Sequence, residues 1–484
     1  MNKIKAGIVS FTDPRSVKGI KQIDKYNLDC QNRLAEAFRQ QGFEVITPLG
    51  KDLVRSRASS QQAAAALLAA DVDALLLGCW KWTDPMLAVD IVRQVVRPAC
   101  LVGESDPSST ALGCMAAVGA ALWEIAPNAC ALRHGRAMNA PGGNFDIAVR
   151  WARGTGALSR LRRSALLLWG GSYCLKMAHL DDDPSRLKSF IVGDILVEDQ
   201  LVLAQGADAL LAKAKKRVDA FVKWLEKGGA GIRYDGGMLT PDSLRRQAAL
   251  YLAARDRLAE LEGEGVAGVS VKCQPALSEQ WGATACMLPA FLPFGEDSEG
   301  ARPIVAATCE GDIKGLITSA LLQNIAGVPA GFGDIRAIDL QGRPHLIISN
   351  CGAASVYYAA LKSNAAGTLP ALTLQGQCQG ASGAAVGYAT PAFGCATIAR
   401  LVRRQGRYAM QYAFADSRAA SPELIARLGW GDSWPISVFD INMDLQRFTV
   451  SAASNHYSFV PGDFVQELLS VCAELDLPVE CLNG

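Results

Sequence analysis

Short apolar runs alternate with amphipathic segments along the first third of the chain. Strand-like runs lie at residues 6–11, 43–48, 72–79 and 99–104. Helix-like patterns lie at residues 26–41, 59–70, 85–96 and 109–125. Because buried strands separated by helices are typical of parallel sheets covered on both faces, this pattern predicts a doubly wound, flavodoxin-like layer.

The middle third of the chain repeats this pattern with longer helices. Strand-like runs lie at residues 165–169, 266–272 and 303–308. Helical patterns lie at residues 207–227, 241–262 and 312–326. The middle third therefore predicts a second doubly wound, parallel-sheet domain.

Beyond residue 329 the helical patterns thin out, and Gly, Ala and Pro separate short β-like segments. These segments lie at residues 337–340, 346–349, 371–374, 396–402, 408–415, 436–441 and 448–453. One helical pattern, at residues 462–475, follows them. Such a pattern is typical of a mainly antiparallel β domain or barrel. The sequence thus predicts an α/β chain with an N-terminal α/β domain at 1–162, a second at 163–330 and a β-rich domain at 331–484.

Length and charge narrow the class of protein. A chain of 484 residues is too long for one ordinary hydrophobic core, which agrees with several domains. With 48 basic and 47 acidic residues the net charge is +1, so nothing in the balance favours binding to nucleic acid. The chain starts directly with a strand-like run, and no apolar stretch is long enough to span a bilayer. We therefore expect a cytoplasmic protein without a membrane partner.

The 14 cysteines include no Cys-x-x-Cys pair and mostly lie in apolar runs. This pattern disfavours a zinc knuckle or a disulfide framework and favours small buried side chains in a reducing compartment. A catalytic thiol is an alternative, which would need one of only four histidines as its base. No Gly-x-Gly-x-x-Gly follows the first strand, so an NAD-dependent enzyme is not supported.

Polar residues at the ends of predicted strands are the candidates for chemistry. Glu310 and Asp312 follow the strand at 303–308, on the edge of the sheet where open α/β layers bind ligands. Asp312 fits a helix N-cap, and Glu310 is equally consistent with a cap or a functional role. Taken alone, Asp334 would be a turn aspartate and His456 a surface histidine. Together, Glu310, Asp334 and His456 would form an oxygen-rich site that suits Mn²⁺ or Mg²⁺.

Several segments of the chain match motifs of a known enzyme family. The specific segments are Lys272-Cys273-Gln274-Pro275, Cys309-Glu310-Gly311-Asp312, Phe332-Gly333-Asp334 and Asn455-His456-Tyr457-Ser458-Phe459. Weaker similarities are Asp13-Pro14-Arg15, Cys79-Trp80, and Gly170-Gly171-Ser172 with Met177. Together these segments span nearly the whole chain, and they resemble the L-fucose isomerase group of the L-fucose/L-arabinose isomerase superfamily.

The resemblance implies a metal-dependent aldose–ketose isomerase. In such an enzyme Glu310, Asp334 and His456 would bind Mn²⁺, or another divalent cation such as Mg²⁺ or Co²⁺. The two carboxylates would move protons through a cis-enediol intermediate. The implied substrate contacts are Arg15, Trp80, Lys272, Gln274 and Asn455. The family is usually a trimeric or hexameric homo-oligomer with two α/β domains and a C-terminal β domain.

The departures from the family pattern bear on the substrate. Asn350-Cys351-Gly352 stands where some relatives have His-Cys-Gly, which argues against an arabinose-type site. Lys81, Lys18 and Lys21 lie near Arg15 or Trp80 in sequence and would suit an anionic sugar, although ordinary surface lysines are the better explanation of them. The expected substrate is a deoxyhexose, a pentose or a 6-substituted anionic sugar such as sulfoquinovose. The alternative is a non-catalytic sugar-binding or regulatory protein on the same fold.

Overall fold

The computed structural model describes residues 3–125, 135–341, 344–440 and 444–483. Contacts divide the chain into two compact units. The N-terminal unit comprises residues 2–160 and 466–477, and the larger unit comprises residues 161–465 and 478–484. The last residue of the predicted strand at 436–441 lies outside the described residues.

The N-terminal unit alternates strands with helices. Its strands are β1 (Lys5–Ser10), β2 (Glu44–Ile46), β3 (Ala74–Gly78), β4 (Ala99–Glu104) and β5 (Gly135–Asn139). Its helices before residue 162 are α1 (Ile20–Gln40), α2 (Arg57–Ala69), α3 (Pro85–Val95), α4 (Ala111–Ile125) and α5 (Asp146–Leu161). In the described residues the five strands form a parallel sheet in the order β2-β1-β3-β4-β5, so the predicted doubly wound layer is confirmed.

A helix from the far end of the chain, Val465–Leu475, packs on this unit through a close backbone approach. A Cβ atom at Gly154 in α5 would lie 2.1 Å from the carbonyl oxygen of Glu467, so only glycine fits at this crossing. The Glu467 carboxylate is buried and lies 3.5 Å from Arg150 and 3.6 Å from Arg153. The late helix is therefore held by backbone contact and by a buried ion pair.

The larger unit begins with a second α/β layer. Its strands are β6 (Ala165–Trp169), β7 (Asp194–Glu198), β8 (Gly231–Ile232), β9 (Val266–Val271), β10 (Glu296–Asp297), β11 (Gly300–Ala301) and β12 (Ala306–Cys309). Its helices are α6 (Pro184–Lys188), α7 (Leu201–Lys213), α8 (Lys215–Lys227), α9 (Pro241–Glu260), α10 (Met287–Phe291) and α11 (Ile313–Ala326). Four of the described strands form a parallel sheet in the order β12-β9-β6-β7, which confirms the second predicted layer.

The single helix predicted at residues 207–227 is wrong. The chain instead forms α7 and α8, which are separated at Ala214, where the backbone has φ −130° and ψ 35°. Both helices pack against α9, so tertiary packing directs a break that no Gly or Pro marks.

The rest of the larger unit is rich in strands. These are β13 (Gly331–Asp339), β14 (His345–Ser349), β15 (Thr373–Gly376), β16 (Ala384–Ala389), β17 (Cys395–Arg404), β18 (Arg407–Arg418), β19 (Pro435–Asp440), β20 (His456–Pro461) and β21 (Val479–Cys481). The helices are α12 (Ala365–Thr368), α13 (Pro422–Arg427), α14 (Leu445–Ser451) and the late helix α15 (Val465–Leu475).

Within the described residues, ten strands form one mixed and mostly antiparallel sheet in the order β21-β18-β17-β20-β13-β14-β19-β16-β15-β8. An additional antiparallel pairing of β18 with β19 joins β18, β17, β20, β13, β14 and β19 into a closed ring of strands. The predicted β-rich region is therefore confirmed, and its centre is barrel-like.

The strand predicted at residues 448–453 is wrong, because this segment is mostly helix α14. Asp444 caps that helix, with its side chain accepting a hydrogen bond of 2.7 Å from the Arg447 amide. The cap and its packing outweigh the strand preference of Phe448, Thr449 and Val450.

None of the helices in the described residues combines the length and the apolar character needed to cross a bilayer.

Candidate active site

Glu310 occupies a strained position at the carboxyl end of β12. Its φ of +65° lies in the left-handed region, which is unfavourable for a residue with a Cβ atom. Its amide donates to the carbonyl of Val271, the last residue of β9, over 2.8 Å. Non-glycine residues in such conformations cluster at functional sites, because the surrounding structure must hold them there.

A neighbouring loop holds the Glu310 backbone. The amide of Cys174 donates to the Glu310 carbonyl over 3.0 Å, and the amide of Tyr173 donates to the Gly311 carbonyl over 3.2 Å. A Cβ atom at Gly311 would lie 2.7 Å from the Gly171 oxygen. The loop after β6 thus packs so closely on the loop after β12 that residue 311 must be glycine.

Asp334 and His456 lie opposite each other on neighbouring strands. Asp334 in β13 is the register partner of His456 in the antiparallel strand β20. Residues that are directly opposite in an antiparallel pair project from the same face of the sheet. The strand pairing therefore brings together two side chains that are 122 positions apart in sequence.

The three predicted metal ligands converge around the Nε2 atom of His456. This nitrogen lies 3.2 Å from Glu310 Oε2 and 3.7 Å from Asp334 Oδ1. The imidazole is almost fully buried, whereas Glu310 and Asp334 keep 15% and 18% of their side-chain surface exposed. The site thus has a buried nitrogen at its base and two carboxylates within reach of solvent.

The other edge of the His456 ring contacts a buried ion pair. His456 Nδ1 lies 2.8 Å from Asp312 Oδ2, and Arg400 donates to both oxygens of the same carboxylate over 2.5 Å and 2.8 Å. Asp312 also caps α11 by accepting from the Gly315 amide over 2.9 Å, as predicted. Asp312 therefore fixes the position of the helix and the orientation of the imidazole.

These contacts set the charge of the site. Burial disfavours the protonated imidazole, but hydrogen bonds and charges from Asp312 and Glu310 outweigh burial and raise the pKa of His456 to about 10. Burial also disfavours the Asp312 carboxylate, but Arg400 and His456 hold its pKa well below the usual range. Asp312 is thus a fixed anion behind the imidazole.

The donor set can be tested against a divalent cation. A carboxylate–imidazole–carboxylate set suits Mn²⁺ or Mg²⁺, and two adjacent ligands of an octahedral cation with bonds of about 2.1 Å lie about 3 Å apart. The 3.2 Å spacing from His456 Nε2 to Glu310 Oε2 agrees with this value. Glu310 Oε2 is also buried, and its partner is the His456 imidazole. The types of donor atom and the distance between these two donors therefore suit such a cation.

The arrangement is nevertheless not a closed ligand set. In the described part of the chain, no three or more His, Cys, Asp and Glu side chains are positioned to hold a metal ion as they stand. The proton that Asp312 and Glu310 stabilise on His456 would compete with a cation for Nε2. The metal is therefore a proposal that rests on the chemistry of the donors and on their spacing.

Three other predicted residues lie on the same side of this unit. Asn455 donates to Asp334 Oδ1 over 2.7 Å. Gln274 lines a cavity that Glu310 also lines, and its side chain donates to the Gln379 carbonyl over 2.8 Å. Lys272 directly follows β9, which pairs with β12 in parallel, so it shares the carboxyl edge with Glu310. The structure thus brings Asn455 into direct contact with a candidate ligand and places Gln274 and Lys272 at the site's border.

The other two predicted substrate contacts, Arg15 and Trp80, belong to the N-terminal unit. Arg15 is exposed and pairs with Asp13 at 2.7 Å. Trp80 is fully buried, and its indole N–H donates to the Ser10 hydroxyl over 2.9 Å. Their roles as substrate contacts stay predictions.

A small cavity of about 40 Å³ lies beside Glu310. This is room for a few water molecules. The cavity shares Glu310 with the candidate site. Its polar or thiol-bearing lining residues are Cys174, Cys273, Gln274, Thr284, Cys286, Cys309, Glu310, Asn350, Cys351, Gln377 and Gln379.

Sequence reasoning missed Arg400 and the contact of Asp312 with His456. Arg400 stands inside the apolar run Ile398-Ala399-Arg400-Leu401-Val402 and is 1% exposed. A charge in a strand that is otherwise apolar requires a buried counter-charge, and this was the available signal. The signal does not identify which carboxylate is the partner.

No protein-family model matches the chain, and no curated protein matches it. The resemblance to the L-fucose isomerase group stays a prediction that rests on the segments named above.

Proposed function

We propose that this chain is a divalent-metal-dependent aldose–ketose isomerase that acts through a cis-enediol intermediate. The observation that carries the proposal is the convergence of Glu310 and Asp334 on His456 Nε2, at 3.2 Å and 3.7 Å. Two carboxylates beside one imidazole supply both a candidate cation site and two groups that can move protons.

Isomerisation requires removal of a weakly acidic proton next to a carbonyl and stabilisation of charge on two adjacent oxygens. A bound divalent cation would be held by Glu310, Asp334 and His456 and would supply Lewis-acid stabilisation of those oxygens. One of the two carboxylates would take the proton from carbon, and the other would exchange a proton with oxygen. Asn455, through its bond to Asp334 Oδ1, would orient one of these carboxylates.

Solvent exchange tests the enediol proposal directly. Purified chain would be incubated in D₂O with aldoses and ketoses, including deoxyhexoses, pentoses and 6-substituted anionic sugars such as sulfoquinovose. We expect one sugar pair to interconvert with deuterium entering at carbon, because the abstracted proton exchanges with solvent on a carboxylate. Interconversion without deuterium would indicate hydride transfer and contradict the enediol.

Charge-neutral variants distinguish a role of the carboxylates in the reaction from a general effect of substitution on folding. Glu310→Gln and Asp334→Asn should each reduce turnover by roughly 100-fold or more, in the range of general acid–base contributions. Glu423→Gln removes an exposed carboxylate from α13 and should leave turnover unchanged. Equal losses in all three variants would oppose the assignment.

The second candidate is a non-catalytic sugar-binding or regulatory protein on the same fold. It is favoured by the absence, among the described residues, of a closed set of metal ligands. Metal analysis discriminates between the two: the isomerase retains Mn²⁺ and loses it in Glu310→Gln, whereas the binding protein binds sugar without metal.

We also propose that the active form is a trimeric or hexameric homo-oligomer in which Arg15 contacts the substrate. Trp80 is not part of this proposal, because its side chain is fully buried. Light scattering of the purified chain tests the oligomer. Substitution of Arg15 by Ala should raise KM more than it lowers kcat if the side chain binds substrate.

A further inference from the structure

A side chain from the loop after β6 contacts the candidate site. His179 lies in the short helical turn Ala178–Leu180, and its Nε2 atom is 2.9 Å from the Oδ1 atom of Asn455. The Nδ2 atom of Asn455 donates in turn to Asp334 Oδ1 over 2.7 Å. Two hydrogen bonds therefore connect an exposed histidine to a candidate metal ligand.

The chemistry of the groups fixes the direction of both hydrogen bonds. An ionised carboxylate only accepts, so the NH₂ group of Asn455 must face Asp334 and its carbonyl oxygen must face His179. His179 must then donate from Nε2, which both the neutral Nε2–H tautomer and the protonated ring can do. The reverse orientation of the amide would set a carbonyl oxygen against the carboxylate and repel it.

The backbone of Asn455 is fixed, but the orientation of its amide is not. The Asn455 carbonyl accepts from the Ile335 amide over 2.7 Å. The terminal torsion of an asparagine side chain is broad and roughly two-fold, so it does not choose between the two orientations. The Sδ atom of Met177, 3.9 Å from Nδ2, is only a weak acceptor. Among the described residues, the strong partners that decide the orientation are Asp334 and His179.

The turn that carries His179 is anchored to the rest of the unit. The amide of Leu180 donates to the carbonyl of Met177 over 2.9 Å, and the Leu180 side chain is fully buried. Lys314 in α11 is 2% exposed and donates to the Asp181 carbonyl over 2.6 Å. His179 thus has a defined position, which a residue that orients another group requires.

We propose that His179 is a positioning residue, whose Nε2–H group sets the orientation of the Asn455 amide and thereby holds Asp334 in place for proton transfer. The effect on turnover rests on the function proposed above, whereas the orientation of the amide does not. Loss of the donor would let the amide turn over and place its oxygen against Asp334. This would displace a group whose placement determines the rate.

Removal of the His179 side chain should have a moderate effect, because the residue is exposed and water partly replaces the lost donor. We expect His179→Ala to lower kcat by about 2- to 12-fold, the range for one hydrogen bond between neutral groups. KM should stay almost unchanged, since the side chain acts through Asn455 and not on the substrate. A higher KM at constant kcat would mean direct contact with the substrate and would overturn the positioning role.

His179→Gln and His179→Glu form a matched pair of nearly equal shape. The side-chain amide of the first can donate near the position of Nε2, whereas the ionised carboxylate of the second only accepts. We expect His179→Gln to keep at least about half of the wild-type kcat. His179→Glu should fall below His179→Ala, because an acceptor at this position favours the reversed amide. Equal kcat values of His179→Gln and His179→Glu would overturn the proposal.

The same pair on an Asn455→Ala background separates orientation of the amide from a direct effect of charge. Without the amide, the difference in kcat between His179→Gln and His179→Glu should disappear, because the coupling requires the side chain through which it acts. A difference that persists at full size means that the charge at position 179 acts on the site directly, and it refutes the role of the amide.

Nuclear magnetic resonance of the full-length protein reports on the amide independently of activity. Protein labelled with a magnetic nitrogen isotope at asparagine would be measured with Mg²⁺, and the side-chain NH₂ signal of Asn455 is identified by its loss in Asn455→Ala. We expect this signal to keep its position in His179→Gln and to shift in His179→Glu. An unchanged signal in His179→Glu overturns the proposal. If the signal behaves as expected but the wild type isomerises no sugar, the proposed function fails and the orientation of the amide by His179 stands.

Discussion

Asp312 lies 2.8 Å from Nδ1 of His456, so only the Nε2 edge of this imidazole faces Glu310 and Asp334. A carboxylate behind a ligand histidine fixes the ring and its tautomer. Because Arg400 pairs with the same carboxylate inside the protein, the orientation of His456 depends on a buried ion pair.

The first prediction concerns Asp312→Asn. The variant keeps an oxygen for the helix cap but removes the charge opposite His456 and Arg400. We expect Mn²⁺ affinity or kcat to fall roughly 10- to 100-fold, as for other groups that orient metal ligands. The free energy of unfolding should fall by about 3–5 kcal/mol, because Arg400 loses its buried partner.

A second buried carboxylate in the same unit provides the control. Asp182 pairs with Arg403 at 2.5 Å and with Lys314 at 3.1 Å, and His456 is not its partner. Asp182→Asn should lower stability similarly and leave Mn²⁺ affinity unchanged, measured by titration followed with electron paramagnetic resonance. A similar loss of affinity in both variants would mean that Asp312 acts only through stability.

The second prediction concerns Gly315, in the first turn of α11. A Cβ atom there would lie 2.6 Å from Arg400 Nη1 and 2.6 Å from Asp312 Oδ2. Gly315→Ala should therefore lower the free energy of unfolding by about 1–3 kcal/mol, in line with overpacked buried positions. Gly113→Ala, in helix α4 with open space around it, should instead raise stability by up to about 1 kcal/mol. Chemical denaturation measures the free energy of unfolding of both variants. A Gly315→Ala variant more stable than the wild type would contradict the crowding around residue 315.

The third prediction separates backbone strain at Glu310 from the role of its carboxylate. Glu310→Gly and Glu310→Ala both remove the carboxylate, but only glycine adopts φ +65° without strain. The Gly variant should therefore be more stable than the Ala variant by about 1 kcal/mol, although both lack activity. At Lys223, an exposed position inside α8, the order should reverse, because alanine is the better helix former. Equal stability of the Glu310→Gly and Glu310→Ala variants would contradict the proposed backbone strain at this position.

The fourth prediction concerns the bond of 2.7 Å from Asn455 to Asp334. Asn455→Ala should lower kcat by roughly 10- to 150-fold, since a hydrogen bond to a charged group contributes about 1.5–3 kcal/mol. Asn455→Asp should lower it further, because it places a second carboxylate against Asp334. Steady-state kinetics at saturating Mn²⁺ check the order, and an Asp variant more active than the Ala variant would contradict it.

The sequence predicts the two parallel layers because their strands are short apolar runs with helices between them, as β3 and β4 illustrate. It predicts less well where local preference and packing disagree. Phe448 and Val450 favour a strand by composition, yet Asp444 caps a helix there. Nothing at Ala214 marks the break between α7 and α8.

The sequence also predicts only part of the candidate site. Glu310 was expected at the end of a strand, and it lies there because an apolar strand and a helix cap flank it. Taken alone, Asp334 predicts a turn and His456 a surface position, but they lie on β13 and β20, and His456 is buried. Their proximity comes from strand register, which is a long-range property that neither local sequence contains.

The central claim is that Glu310, Asp334 and His456 share one divalent cation that isomerisation requires. The most direct measurement is the Mn²⁺ content and turnover of purified protein after chelation and reconstitution, in the wild type and in His456→Gln. The account predicts about one Mn²⁺ per chain, activity that is lost on chelation and restored by Mn²⁺, and neither in the variant. Full activity of metal-free protein, or unchanged Mn²⁺ binding in the variant, would contradict it.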